Sequence, residues 1–197
     1  MNKSTIDSRV SRTRSLLQNA LLSLTSEKSY DGITVDDICA TANVGRSTFY
    51  AHYTSKDDLK RKGIDGHLRD LFVGRQKEAV LAHRCVPSGR RFGFSLAMFE
   101  HARDHRAHYR ALAGGRGSSV ALAAIRQVIA DLVREEFAST GPVTSAHAPT
   151  REFSVQFVVG AYMSVLLWWL DGGAKLSPEQ VDAMFRHLAT EGFSIAS

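Results

Sequence analysis

Apolar side chains return at three- and four-residue steps at Val10, Leu17, Ala20, Leu21 and Leu24, which predicts an amphipathic helix from Arg9 to about Lys28. Tyr30-Asp31-Gly32 ends it. Thr34, with Asp37 three places on, makes a capping-box-like start for a short second helix whose Val35, Ile38 and Cys39 face inward. That helix stops at Ala42-Asn43-Val44-Gly45, where Asn and Gly suit a tight turn. A third helix is expected from Arg46 to about Tyr53. A fourth, with Ser55 as N-cap and Asp57 and Asp58 in its first turn, runs to about Leu81. Beyond a break at Pro87-Ser88-Gly89, helices are expected over Arg90 to Leu112 and from Ser118 or Ser119 to about Phe137, with Gly114, Gly115 and Gly117 in a loop between them. Thr140 to Thr150, which holds Pro142 and Pro149, reads as the longest loop. Arg151 to Leu170 is apolar around nearly its whole circumference. Ser177-Pro178-Glu179-Gln180 then opens a last helix, about Pro178 to Phe193. Alternating strand patterns are nearly absent, so the chain reads as all-α.

Two short helices joined by a tight Asn/Gly turn make a helix-turn-helix within Ile33 to Leu59, ITVDDICATANVGRSTFYAHYTSKDDL. A major groove about 12 Å wide admits one helix, which must offer donors at its N-terminal end and keep its apolar anchor behind. Arg46 and Ser47 open the third helix, and Phe49 supplies the anchor.

This segment resembles the TetR family of transcriptional regulators over about residues 9–62. RTRSLLQNALLSLTSEKSYDGIT is similar to the family's first helix and its exit, and Val35-Asp36-Asp37-Ile38 to its second helix. NVGRSTFYAHYTSKDDL resembles the recognition helix and the aromatic-x-His-aromatic and Lys-acidic-acidic-Leu signature after it. The resemblance implies an N-terminal three-helix helix-turn-helix DNA-binding domain, taken as 1–54, and a C-terminal helical bundle for effector sensing and dimerisation, 55–197. It further implies that Arg46, Ser47 and Tyr50 face the groove, and that Thr48, Tyr50, His52 and Lys56 bind phosphates. Lys56 lies in the first turn of a helix, where free backbone N–H groups already favour an anion. Thr34 either touches phosphate or serves only as a cap. His52 is open to a purely structural role, and Tyr53 is read as packing. Asn43 and Gly45 depart from the family's usual Gly and Ser/Thr, so the recognition helix lacks a side-chain cap. Cys39 stands where the family often has alanine.

For the second domain the resemblance implies that the last two helices pair with those of a second subunit as a four-helix bundle. Gly160, Ala161 and Ser164 allow close helix approach, and Val165, Leu166, Trp168, Trp169, Val181, Phe185 and Leu188 offer more apolar surface than a small monomer easily hides. The alternative is a wholly intramolecular core. An effector would meet Phe94, Met98, Phe99, His105 and Tyr109, at helical spacing. His101, His105 and His108 lie on one side, where they could hold a metal or an anionic ligand. The charges around them instead favour a solvated face, and neither a metal nor a cofactor is expected.

Composition narrows the picture. The chain of 197 residues is 44% hydrophobic and 23% charged, as ordinary globular proteins are. Its net charge of +5 is concentrated at the start, since Lys3, Arg9, Arg12 and Arg14 face only Asp7 in the opening segment. Cys39 and Cys85 have no CxxC spacing, which gives no reason to expect a disulfide framework or cysteine zinc site and suits a reducing cytoplasm. The apolar run Phe157 to Leu170 falls short of the roughly 18 to 20 residues that cross a bilayer, so no membrane partner is expected. No P-loop, GxSxG, HExxH or dinucleotide fingerprint points to an enzyme. The expectation is therefore a sequence-specific repressor that binds a near-palindromic double-stranded DNA operator as a homodimer and is released by a small-molecule effector. The alternative is a DNA-binding adaptor of the same fold, controlled by a protein partner or lacking a small effector.

Overall fold

Local punctuation sets most helix ends. The computed structural model describes residues 3–81, 91–106, 109, 116–138 and 149–192, without the side chains of 3–7, 73–81 and 116. The helices are α1 (Lys3–Glu27), α2 (Val35–Ala42), α3 (Arg46–His52), α4 (Lys56–Leu81), α5 (Phe94–Asp104), α6 (Arg116–Ala138), α7 (Arg151–Asp171) and α8 (Pro178–Glu191), with a 3-10 turn at Tyr30–Gly32. There is no strand among the described residues. Helix α1 begins earlier than its apolar period because no Pro or Gly interrupts the polar residues before Val10. Helix α5 starts later than expected. Phe92 takes a left-handed φ of 59°, and its N–H donates to both carboxylate oxygens of Glu136 at 2.8 and 2.9 Å, so the helix forms only after Gly93. The expected breaks at Pro87-Ser88-Gly89, at Gly114-Gly115 and through 139–148 lie outside the described residues, as do Cys85, His108 and Phe193.

Gly117 is not in a loop. It sits in the first turn of α6, where a Cβ would lie 2.6 Å from Cγ of Tyr30. The glycine is needed for close approach to a ring, not for backbone freedom.

The chain divides into two compact units, residues 1–66 with 112–124, and residues 67–111 with 125–197, so the divisions fall inside α4 and α6. In the first unit, Leu17, Ala20, Leu21 and Leu24 of α1 pack with Ile33, Ile38, Cys39, Ala42, Phe49, Tyr53 and Leu59. Cys39 is buried among them as a small apolar group.

In the second unit α5 packs against α7 and α8. Phe99 meets the rings of Tyr162 at 4.9 Å and Trp169 at 5.6 Å, and Phe185 meets Tyr162 at 5.2 Å. Buried Asp182 is compensated by the Ser95 hydroxyl and by Arg186 Nε at 2.9 Å, as a charge removed from water requires. Helix α7 is longer than its apolar run suggests: with 21 residues and a mean hydropathy of 1.6 it is long and apolar enough to cross a membrane. Its row Val155, Val158, Val159, Tyr162, Met163, Leu166 and Trp169 is buried against its own chain, which makes it protein core.

Candidate nucleic-acid interface

The turn between α2 and α3 is built from the residues that open and close it. The Thr34 hydroxyl accepts from the Asp37 amide at 3.1 Å while the Asp37 carboxylate accepts from the Thr34 amide at 2.8 Å. Lys28 reaches the same carboxylate at 2.7 Å. These bonds, that to Lys28 foremost, bring the Asp37 carboxyl down to about 2. At the other end of α2, Asn43 adopts the left-handed conformation (φ 52°, ψ 48°) that an asparagine tolerates, and Val44 N–H closes on the Cys39 carbonyl at 3.0 Å. Gly45 follows in extended backbone (φ −75°, ψ 154°) and caps α3 with no side chain. No positive φ demands glycine at this position.

Phe49 fixes the orientation of α3. It is fully buried, and its ring meets Tyr50 at 5.3 Å and Tyr53 at 5.9 Å. With Phe49 inward, Arg46, Ser47, Tyr50 and Ala51 are exposed on the opposite face, and Thr48 and His52 are half-buried at its margins. Arg46 is already oriented: Nη1 donates to both oxygens of Asp36 at 2.9 and 3.0 Å, and its guanidinium lies 5.9 Å from the Tyr50 ring centre. A hydrogen bond with Tyr50 and the nearby Asp36 charge raise its affinity for the proton further. Tyr53 is buried, as its packing role requires, and Lys62 Nζ lies 5.4 Å from its ring centre. The His52 ring leans on Tyr53 at 6.3 Å.

Two of the residues expected at phosphates have partners within the chain. Lys56 Nζ donates to the carbonyls of Tyr30, Asp31 and Ile33 at 2.9, 3.2 and 2.7 Å, and lies 4.8 Å from the Tyr30 ring centre. An ammonium has three protons, so these bonds use its donors and make Lys56 a staple between α4 and the 3-10 turn. What it retains for an anion is its backbone N–H at the start of α4. The Thr34 hydroxyl donates to Asp37 Oδ2 at 2.8 Å, as part of the α2 cap.

The expected effector and dimer residues separate by burial. Met98, Phe99 and Tyr109 are buried, Phe94 is half-buried and packs on Tyr162 at 6.0 Å, and His105 is exposed at the C-cap of α5. A cavity of about 450 Å³ lies elsewhere, lined by Arg91, Ala183, Arg186, His187, Thr190 and Glu191. Trp169, Val181 and Phe185, expected to face a partner, are instead core of their own chain, whereas Trp168 and Leu188 are 59% and 40% exposed and Val165 is half-buried. Phe153, Phe157 and Met184, which the sequence reading missed, are also exposed. On α7, Phe153 and Phe157 join Gly160, Ala161, Ser164 and Trp168 in one row at three- and four-residue steps, a spacing that the buried row shares.

Residues 18–61 match the family described as bacterial regulatory proteins, tetR family, and residues 92–191 match one described as transcriptional regulator C-terminal region. The chain is 51% identical over 55 residues to an uncharacterized HTH-type transcriptional regulator YxbF of Bacillus subtilis, covering 27% of this chain and 14% of that one. It is 40% identical over 50 residues to the biofilm operon icaADBC negative transcriptional regulator IcaR of Staphylococcus epidermidis, covering 25% of this chain and 26% of that one. The likeness thus spans only a seventh to a quarter of these curated relatives' length. Over nearly the whole chain, 95% of it and 99% of the other, the fold is similar to a TetR transcriptional regulator from Streptococcus agalactiae, with a TM-score of 0.57 and 25% identity.

Proposed function

From the premise that this chain belongs to the TetR family of DNA-binding transcriptional regulators, we propose that it is a repressor that binds a near-palindromic operator as a homodimer and is released by an effector. The observation that carries this reading is the division of α3 into a buried anchor, Phe49, and an exposed face of Arg46, Ser47, Tyr50 and Ala51. Arg46 in its first turn would read a base edge with Ser47 and Tyr50 beside it in the groove, and Thr48, Tyr50, His52 and Lys56, the last through its backbone N–H, would grip the flanking phosphates. On binding, the Arg46–Asp36 pair opens and the guanidinium exchanges a carboxylate for a guanine edge or a phosphate. The exposed row of α7, with Met184 and Leu188 of α8, supports a two-fold partner, which would present two recognition helices to two half-sites. Family membership supports a cytoplasmic regulator that binds and releases without turnover. The aromatic packing around Phe99 favours a second reading for the control step, in which a protein partner, or no small effector, acts on the second unit.

Selection of bound sequences from a random duplex pool tests the reading. The expected product is a two-fold symmetric site whose affinity falls steeply with salt. A protein that prefers no duplex over random DNA overturns it.

A further inference from the structure

Acidic side chains beside the helix-turn-helix serve its fold. Asp37 closes the α2 box and holds Lys28, Asp57 accepts from the Tyr30 hydroxyl, and buried Asp58 accepts from the Thr54 amide and pairs with Arg61 and Lys62. Asp36 departs from them. It stands in the first turn of α2, outside the capping box, and both of its oxygens accept from Nη1 of Arg46 across the turn, at 2.9 and 3.0 Å. The two side chains are 64% and 61% exposed, so neither burial nor capping accounts for the pair. An exposed pair of this kind adds little to stability, because water screens it and both side chains lose freedom in forming it. Beside a guanidinium that meets DNA, the Asp36 carboxylate also repels any phosphate within the screening length of about 8–10 Å. In a protein that binds a polyanion, an acid in this place lowers general affinity, which makes selectivity its natural return.

We propose that Asp36 is a specificity-determining residue: on the operator its carboxylate accepts from the N4 amino group of a cytosine, at the base pair next to the guanine that Arg46 reads. This role rests on the reading of α3 as the helix that enters the groove. The Asp36 oxygens lie 2.9 and 3.0 Å from Nη1 of Arg46. Neighbouring base pairs are about 3.4 Å apart along the duplex, so the two groups are spaced to address adjacent pairs. Their chemistry suits the same assignment. A guanidinium donates to guanine O6 and N7, and a carboxylate accepts from cytosine N4. In the major groove guanine and thymine offer Asp36 acceptors and no donor, and adenine sets its N7 acceptor beside its amino group. Exchange of partners then becomes the filter. At the matching step Arg46 and Asp36 release each other and each gains a base edge. On random DNA Arg46 gains a phosphate, while Asp36 is left facing phosphates without a donor. One ion pair thus discriminates twice, through what it gains at the right site and what it loses at a wrong one.

Full-length parent, Asp36→Ala, Asp36→Asn and Arg46→Ala are each carried through selection from a random duplex pool, and the selected duplexes are titrated against a random duplex of equal length at one salt concentration. The parent should select a guanine next to a cytosine in each half-site. Arg46→Ala should lose the guanine. Asp36→Ala should keep the guanine, lose the cytosine and retain the helical circular dichroism of the parent. It should also bind random duplex roughly two- to fivefold more tightly, as expected from removing one exposed carboxylate. Its ratio of specific to random affinity on the parent's site should therefore fall about tenfold or more. Asp36→Asn should exchange the cytosine for adenine, whose N6 and N7 an amide pairs with. An Asp36→Ala variant with the parent's half-site and ratio overturns the role of Asp36 and leaves the operator reading standing, as does an Asp36→Asn variant that still selects the cytosine. A parent that prefers no duplex overturns both.

Discussion

The exposed faces of α3 and α7 are built on the same plan and end in opposite chemistries. Each helix turns apolar groups inward, Phe49 alone in α3 and a row from Val155 to Trp169 in α7. Outward, α3 offers a guanidinium, a hydroxyl and a phenol, whereas α7 offers Phe153, Phe157 and Trp168, continued by Met184 and Leu188 on α8. Water solvates the first face well, so nothing but a ligand of matching charge has reason to cover it. The second face loses about 25 cal/mol for each Å² of apolar surface left wet, so it calls for a permanent cover. The contrast teaches that helical burial alone does not identify a partner; what remains exposed after burial does.

The largest expected effect tests what stands behind the polar face. Phe49→Ala removes the only buried side chain of α3 and should cost about 3–5 kcal/mol of unfolding free energy in a denaturant titration. A loss below about 1 kcal/mol would mean that the helix is held by something other than this ring. Next is the apolar face. Trp168→Asp combined with Phe157→Asp should convert a dimer to a monomer in sedimentation equilibrium, an effect of about 2–4 kcal/mol for each anchor, and should weaken operator binding in parallel. A double variant that remains dimeric breaks the comparison on its apolar side.

A smaller effect separates two cations that look alike in sequence. Arg46→Ala should leave the melting temperature unchanged and lower specific affinity roughly ten- to hundredfold, whereas Lys56→Ala should lower the melting temperature through loss of carbonyl bonds worth about 1.5–3 kcal/mol in total. Equal melting temperatures for the two variants would return Lys56 to the phosphate contacts. The smallest effect is set by pH. The Asp37 carboxyl is held at about 2 in the folded chain against an ordinary 3.8, so its stabilisation is present above about pH 4 and lost as pH falls toward 2. Asp37→Asn should lower the melting temperature near neutrality, where that stabilisation is present, and flatten its decline across that window.

What the sequence reveals follows the range of the interaction. The boxes Thr34/Asp37 and Ser177/Gln180 and the left-handed Asn43 depend on neighbours within a few residues, and each is readable by inspection. Lys56 ends against carbonyls 23 to 26 positions earlier, and Arg46 pairs with Asp36 ten positions earlier, so both side chains look free until the chain is folded. In α7 the difficulty is different: apolar residues on every side leave no moment to tell Trp168 from Trp169, and only packing on α5 and α8 assigns one to solvent and the other to the core.

Gly117 gives this fold a position where the ordinary rules of substitution reverse. In most helices alanine improves on glycine by about 1 kcal/mol, so helical glycines are the first choice of anyone seeking a hardier protein. Here even a methyl group would enter the Tyr30 ring, the same ring that Lys56 and Lys60 approach at 4.8 and 4.3 Å and whose hydroxyl bonds Asp57 at 2.6 Å. In a library covering every position, 117 would therefore behave like a catalytic residue in its intolerance while taking part in no chemistry. Tolerance would return through a compensating reduction at position 30, which would give up the Asp57 bond and the face that the two lysines share.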